Sequence, residues 1–266
     1  MSYDRLAEGY AAHWGPVIRP AAEAVLDLVA PEPADGARIV DVGSGTGALA
    51  IAALRRWPAV RVSAVDPADA MLAIARREVA ALPGDVAARL QTDVAPADRL
   101  PYPDASFDLA VSSFVLQLVP SRAAALREAR RVLRPGGRIA WVAWMVGGER
   151  FRADEVVDRV LDEFGFDPPE SAGPSGDLAS AAAAALATRR AGFRGVRATP
   201  AEVAHAWTAE TYLGFLREFD EESLFADLST RERRKVEGRL RTELGGLTAD
   251  ELTMRLPIVY VTGTAA

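Results

Sequence analysis

Residues Val40-Asp41-Val42-Gly43-Ser44-Gly45-Thr46-Gly47 carry the strongest chemical signal in the chain. A short apolar run enters a turn rich in glycine, and a stretch of good helix formers follows. Glycine reaches positive φ without strain and lets backbone close on a ligand. A helix opening behind the turn offers free N–H groups and a positive dipole end. Such a turn suits an anion, either a pyrophosphate or an amino-acid carboxylate. Asp41 stands inside the apolar run, two residues before Gly43. A carboxylate there is costly unless it meets a donor or a cation, and an ammonium group on the ligand would supply both.

Two more acids close apolar runs, Asp66 after Val60 to Val65 and Asp93 after Ala87 to Thr92. Carboxylates at neighbouring strand tips can accept hydrogen bonds from a ligand, or they can cap the helices that follow. The glycine turn fits more than one chemistry. Gly43, Gly45 and Ala48 satisfy the dinucleotide spacing G-x-G-x-x-G/A, and Asp66 follows at about the distance of a ribose-binding acid. An NAD-dependent oxidoreductase is therefore a competing reading. It leaves Asp41 and Asp93 unexplained, and Lys235 is the only lysine, so a Tyr-x-x-x-Lys pair is absent.

These residues must be positioned by alternating elements. Arg38 to Val42, Val60 to Val65, Ala87 to Thr92, Phe107 to Ser112 and Arg138 to Met145 read as strands. Thr46 to Trp57, Ala68 to Leu82 and Ser121 to Leu133 read as helices between them. Strand–helix alternation predicts a Rossmann-like, doubly wound α/β fold with a mostly parallel sheet. The first 36 residues read as capping helices, with Pro20 opening the second. Residues 37–145 form the ligand-binding core. Residues 146–192 read as an acceptor-side insertion and helix, including a loop from Asp167 to Asp177 able to act as a lid. Residues 193–266 supply two more strands, Val196 to Thr208 and Leu252 to Thr262, with helices between them. Pro200 and Pro257 push parts of those strands to edges or bulges. The whole reads as one domain of 1–266.

Composition removes several alternatives. The 266 residues include no cysteine, so disulfides, thiolate nucleophiles and zinc ribbons are excluded. Two histidines, His13 and His205, are too few for a multi-histidine metal site, and no metal is expected. A net charge of −6 argues against a general nucleic-acid binder. No apolar run reaches the roughly 20 residues of a membrane span. No apolar stretch follows Met1-Ser2-Tyr3-Asp4-Arg5 as it would in a secretory signal, so the cytoplasm is the expected compartment. A monomer or homodimer acting on a small molecule is expected.

Five segments in order complete the pattern: Val40 to Gly47, Val65-Asp66-Pro67, Thr92-Asp93-Val94, Ser106-Phe107-Asp108-Leu109 and Arg131-Val-Leu-Arg-Pro-Gly-Gly137. Together they resemble the class I S-adenosylmethionine-dependent methyltransferases, in particular the small-molecule group that includes ubiquinone and menaquinone biosynthesis enzymes. The resemblance covers about Tyr3 to Trp144. It implies a seven-stranded sheet with an antiparallel C-terminal strand pair, into which Ala191-Gly192-Phe193 leads. It implies S-adenosyl-L-methionine as cofactor. Gly43, Ser44 and Gly45 would then lie under its methionine part and Asp41 would face its amino group. Asp66 would accept from the ribose hydroxyls, Pro67 and Met71 would pack on adenine, and Asp93 with the Val94 amide would read the adenine edge. Ser113 would approach through its backbone, and Tyr10 would close over the carboxylate.

Methyl transfer from a sulfonium needs alignment and exclusion of water, and a base only where the acceptor is protonated. His13 is the candidate base, with an exposed helix residue as its alternative reading. Trp14, Phe114 and Trp144, with Phe151 and Phe164, would line a pocket for a flat or apolar acceptor. Transfer to oxygen, nitrogen or carbon is left open. A protein of the same fold that binds the cofactor for non-methylating chemistry is the alternative.

Overall fold

The computed structural model describes residues 3–166 and 176–266. The chain begins with helix α1 (Tyr3–Gly9), a π-helical turn (Tyr10–Trp14), α2 (Gly15–Glu23) and a 3-10 turn (Ala24–Leu28). Pro16, in the first turn, opens α2, where its missing N–H costs nothing, and the helix continues through Pro20. The second cap helix thus starts earlier than the expected opening at Pro20.

The core follows as β1 (Arg38–Val42), α3 (Ala48–Arg56), β2 (Arg61–Asp66), α4 (Asp69–Ala80), a single turn α5 (Gly84–Ala87), β3 (Leu90–Val94), β4 (Phe107–Ser113), α6 (Arg122–Val132) and β5 (Leu133–Trp144). Then come α7 (Arg152–Glu163), α8 (Ala181–Arg190), β6 (Phe193–Ala206), α9 (Ala209–Phe215), a second π-helical turn (Leu216–Asp220), α10 (Glu222–Asp227), α11 (Thr230–Gly245) and β7 (Thr253–Ala265). Ser121, Ser180 and Ser229 cap α6, α8 and α11 with their hydroxyls.

The seven strands lie in the order β3-β2-β1-β4-β5-β7-β6. The first five are parallel, and β7 runs antiparallel between β5 and β6. This is the expected fold class with its antiparallel C-terminal pair. Pro200 sits on β6, the edge strand, where a missing N–H is tolerated.

Both faces of the sheet are covered, so its strands alternate between two apolar clusters. On β5, Ala140 and Val142 face the cluster that holds the N-terminal cap, α3, α7, α9 and α11. Ile139, Trp141 and Ala143 face the opposite cluster with α6 and α8. Trp141 has no exposed surface, and truncating such a side chain costs about 3–5 kcal/mol. Strand order reverses between β1 and β4. In open α/β sheets that reversal leaves a crevice at the carboxyl ends of the strands.

Candidate cofactor and acceptor site

A cavity of about 310 Å³ occupies that crevice. Gly43 and Gly45 from the β1 turn, Asp66 and Pro67 from the tip of β2, and Met71 from α4 line one end. Ser113 at the end of β4, Phe114 just beyond it, Trp144 at the end of β5, and Trp14 and Ile18 from the cap line the other, while Tyr10 of the cap packs beside Met71.

The glycine turn is tied to the second strand. Gly43 and Ser44 donate their amides to the Val65 carbonyl at 2.8 and 3.0 Å. Gly43 has φ +71°, and a Cβ there would lie 2.3 Å from a Val115 methyl. Gly45 has φ +53°, and nothing lies within 4 Å of where its Cβ would be. The turn therefore needs glycine at both positions, once for close packing and once to leave a smooth, open cradle at the cavity wall.

Asp66 is held at the lip. Its Oδ2 accepts from the Gly45 amide and its Oδ1 from the Ala68 amide, both at 2.9 Å. Burial raises its pKa, opposed by those two amides. Each carboxylate oxygen can accept two hydrogen bonds, so each keeps one acceptor site for a ligand hydroxyl. Asp41 lies beneath the turn, fully buried, outside the cavity lining. Neither of its oxygens completes a hydrogen bond. Burial pushes its carboxyl up to about 7, against the pull of the Ala50 amide near the start of α3. Its influence on a ligand is a field acting across the turn, and a cation in the cradle would be its counter-charge.

The acceptor end is aromatic. The Phe114 and Trp144 ring centroids lie 4.2 Å apart, and Trp14 lies 6.0 Å from Trp144. Phe114 has φ 55°, a left-handed conformation costing an aromatic residue about 1–2 kcal/mol. Its amide donates to Val142 at 2.9 Å, which ties the turn to β5. A neighbouring hollow of about 270 Å³ shares Trp14 and Trp144 and reaches Met145, Gly147 and Asp177.

Not every expected residue meets in the cavity. Ser44 is buried behind the turn. Asp93 accepts from the Tyr102 hydroxyl at 2.9 Å and from the Gln91 amide, and neither Asp93 nor Val94 lines the cavity. His13 turns away: its Nε2 lies 2.8 Å from Glu218 Oε2. Phe151 packs edge-on against Tyr212 in the core and Phe164 sits at the surface. Residues 167–175 of the expected lid lie outside the described residues. The sequence reading missed Pro96, Asp98, Val115, Gln117 and Leu118, which line the cavity from the segments after β3 and β4. Their signal was position alone, since loops at the carboxyl ends of parallel strands line such crevices.

A family profile described as "Methyltransferase domain" matches residues 40–141. The nocamycin O-methyltransferase of Saccharothrix syringae is 32% identical over 99% of this chain and 97% of its own length. The ubiquinone/menaquinone biosynthesis C-methyltransferase UbiE of Geobacter sulfurreducens is 38% identical over 39% of this chain and 40% of its own length. The match therefore spans less than half the length of that relative. The crystal structure of the [4+2]-cyclase SpnF superposes with a TM-score of 0.56 at 21% identity, covering 94% of this chain and 83% of that one, a likeness of fold.

The fold and the glycine-turn site define a class I S-adenosylmethionine-dependent methyltransferase. The chain belongs to that family, and its full-length likeness is to an O-methyltransferase. Among the described residues, no helix is long and apolar enough to cross a membrane.

Proposed function

We propose that the chain transfers the methyl group of S-adenosylmethionine to a small, flat or largely apolar acceptor. The observation that carries this reading is the two-ended cavity. A glycine cradle and the half-buried Asp66 lie at one end, and an aromatic wall lies at the other.

The residues present fit the cofactor. The open wall at Gly45 admits a ligand backbone, the orphaned Asp41 carboxylate awaits a cation, and Asp66 retains acceptor sites for two hydroxyls. Gly43, Gly45 and Asp66 would hold the cofactor, with Pro67 and Met71 beside its base and Asp41 acting only through its field behind the turn. When bound, the cofactor supplies an electrophilic methyl group. Trp14, Phe114 and Trp144 orient the acceptor and keep water out, which is where rate is gained when the donor is already activated. The titratable side chains among the described lining residues are Tyr10, Asp66 and Asp98, so His13 is not the base in this reading. Proton loss from the acceptor then goes to solvent, or the acceptor reacts already ionised. The acidic charge balance argues against a nucleic-acid partner.

Thermal shift with S-adenosylmethionine, S-adenosylhomocysteine and NAD tests the cofactor. Stabilisation by the first two supports it, and stabilisation by NAD alone overturns it. Release of S-adenosylhomocysteine with a panel of aromatic hydroxy and carboxy acids tests transfer. Tight cofactor binding without release on any acceptor class would favour non-methylating chemistry.

A further inference from the structure

A second polar hollow, of about 250 Å³, lies at the amino ends of β4 and β5, the opposite edge of the sheet from the cofactor cavity. Leu28 at the end of the 3-10 turn, with Val29 and Ala30 after it, forms one wall, and Arg138, Arg197, Thr262 and Thr264 supply its polar groups. The strand register brings these side chains together. Arg138 on β5 is opposite Thr264 on β7, and on β6 Arg194 is opposite Thr264 and Arg197 opposite Thr262. Directly opposed residues of an antiparallel pair share a face, so three arginines flank a two-threonine stripe.

A regular β6 could not build this. Residues three apart in a strand point to opposite faces. A bulge between Arg194 and Arg197, with Gly195 at φ +61°, re-aims Arg197 onto the face of Arg194. Gly195 lines the hollow. Among the described residues no carboxylate pairs with any of the three arginines or lines the hollow. Burial lowers the pKa of Arg138, whose guanidinium donates to the Pro31 carbonyl. The chain as a whole carries −6, so this is a local reversal of sign.

We propose that the hollow between β5, β6 and β7 is an anion site that takes a dianionic phosphate group, free or as the monoester of a small metabolite. Planar guanidiniums match phosphate oxygens in pairs, and threonine hydroxyls can donate to the remaining ones. The site is separate from the cofactor cavity. β4 and β5 pass both hollows, with Leu109 and Arg138 at this one and Ser113 and Trp144 at the cofactor cavity.

Titration of the full chain with inorganic phosphate, at ionic strength held constant with sodium chloride, tests this by amide chemical shifts. Saturating shifts centred on Gly195 and Gly263 are expected. Arg197 is exposed, so Arg197→Ala should leave the fold intact and weaken binding at least about tenfold. A parallel titration with glycerol phosphate separates the sources: tighter binding than phosphate assigns a monoester, and equal binding assigns the free ion. Shifts confined to the Gly43–Gly47 turn, shifts that do not saturate, or an unchanged affinity in Arg197→Ala would overturn the proposal.

Discussion

The Gly45 amide donates to Asp66 Oδ2 at 2.9 Å, so the turn after β1 and the tip of β2 are one mechanical unit. A single carboxylate both shapes the glycine cradle and presents acceptors to the cavity. Asp66→Ala should therefore abolish the thermal shift with S-adenosylmethionine. Asp66→Asn keeps an acceptor for the Gly45 amide and loses the charge. It should bind the cofactor about tenfold or more weaker. Isothermal titration of both variants reads this, and wild-type affinity in Asp66→Ala would refute the role.

Asp41 makes stability depend on pH. Its pKa rises from the ordinary 3.8 to about 7 on folding, because burial disfavours its charge. The folded state then holds a proton that the unfolded chain has released. The contribution is most favourable at low pH, declines between 3.8 and about 7, and is level above that. The loss is about 4 kcal/mol across that window. Asp41→Asn should raise the melting temperature, by more at pH 8 than at pH 5, while weakening binding of the cationic cofactor. Differential scanning calorimetry at the two pH values checks it. A variant less stable than wild type at pH 8 would contradict the burial argument.

His13 and Glu218 join the two π-helical turns, and the same turns meet through Tyr10 and Phe219, whose ring centroids lie 5.7 Å apart. The pair is half exposed, so its own contribution is about 0.5 kcal/mol. Its effect is to hold the cap that carries Tyr10 and Trp14. His13→Gln should change kcat less than about threefold and leave the pH–rate profile in place. A fall of a hundredfold or more with loss of the acid limb would restore His13 as a general base.

Trp144 contacts both Phe114 and Trp14 and belongs to both hollows at the acceptor end. Trp144→Ala should raise KM for the acceptor by about tenfold or more and leave cofactor affinity within about threefold. Equal losses for both ligands would mean that the wall supports the whole cavity rather than the acceptor end.

The sequence showed the sheet and the cofactor end because both rest on local rules. Glycines with positive φ, acids at strand ends and apolar strand runs are all written in short segments. Strand ends were less legible: β6 begins at Phe193 rather than Val196, and β7 continues to Ala265, because tertiary pairing extends both past their apolar cores. The destination of His13 was not legible, since Glu218 is 205 residues away in sequence. Asp93 carried no sign of Tyr102, whose hydroxyl meets it across the β3–β4 connection. The Phe114 conformation was equally hidden, because nothing in Ser113-Phe114-Val115 announces a left-handed residue.

The central claim is that the cradle of Gly43, Gly45 and Asp66 takes the methyl donor. Isothermal titration of the full chain with S-adenosylhomocysteine tests it most directly. One site per chain with micromolar affinity, lost in Asp66→Ala, is the predicted result. No measurable heat with that ligand alongside saturable binding of NAD would contradict it.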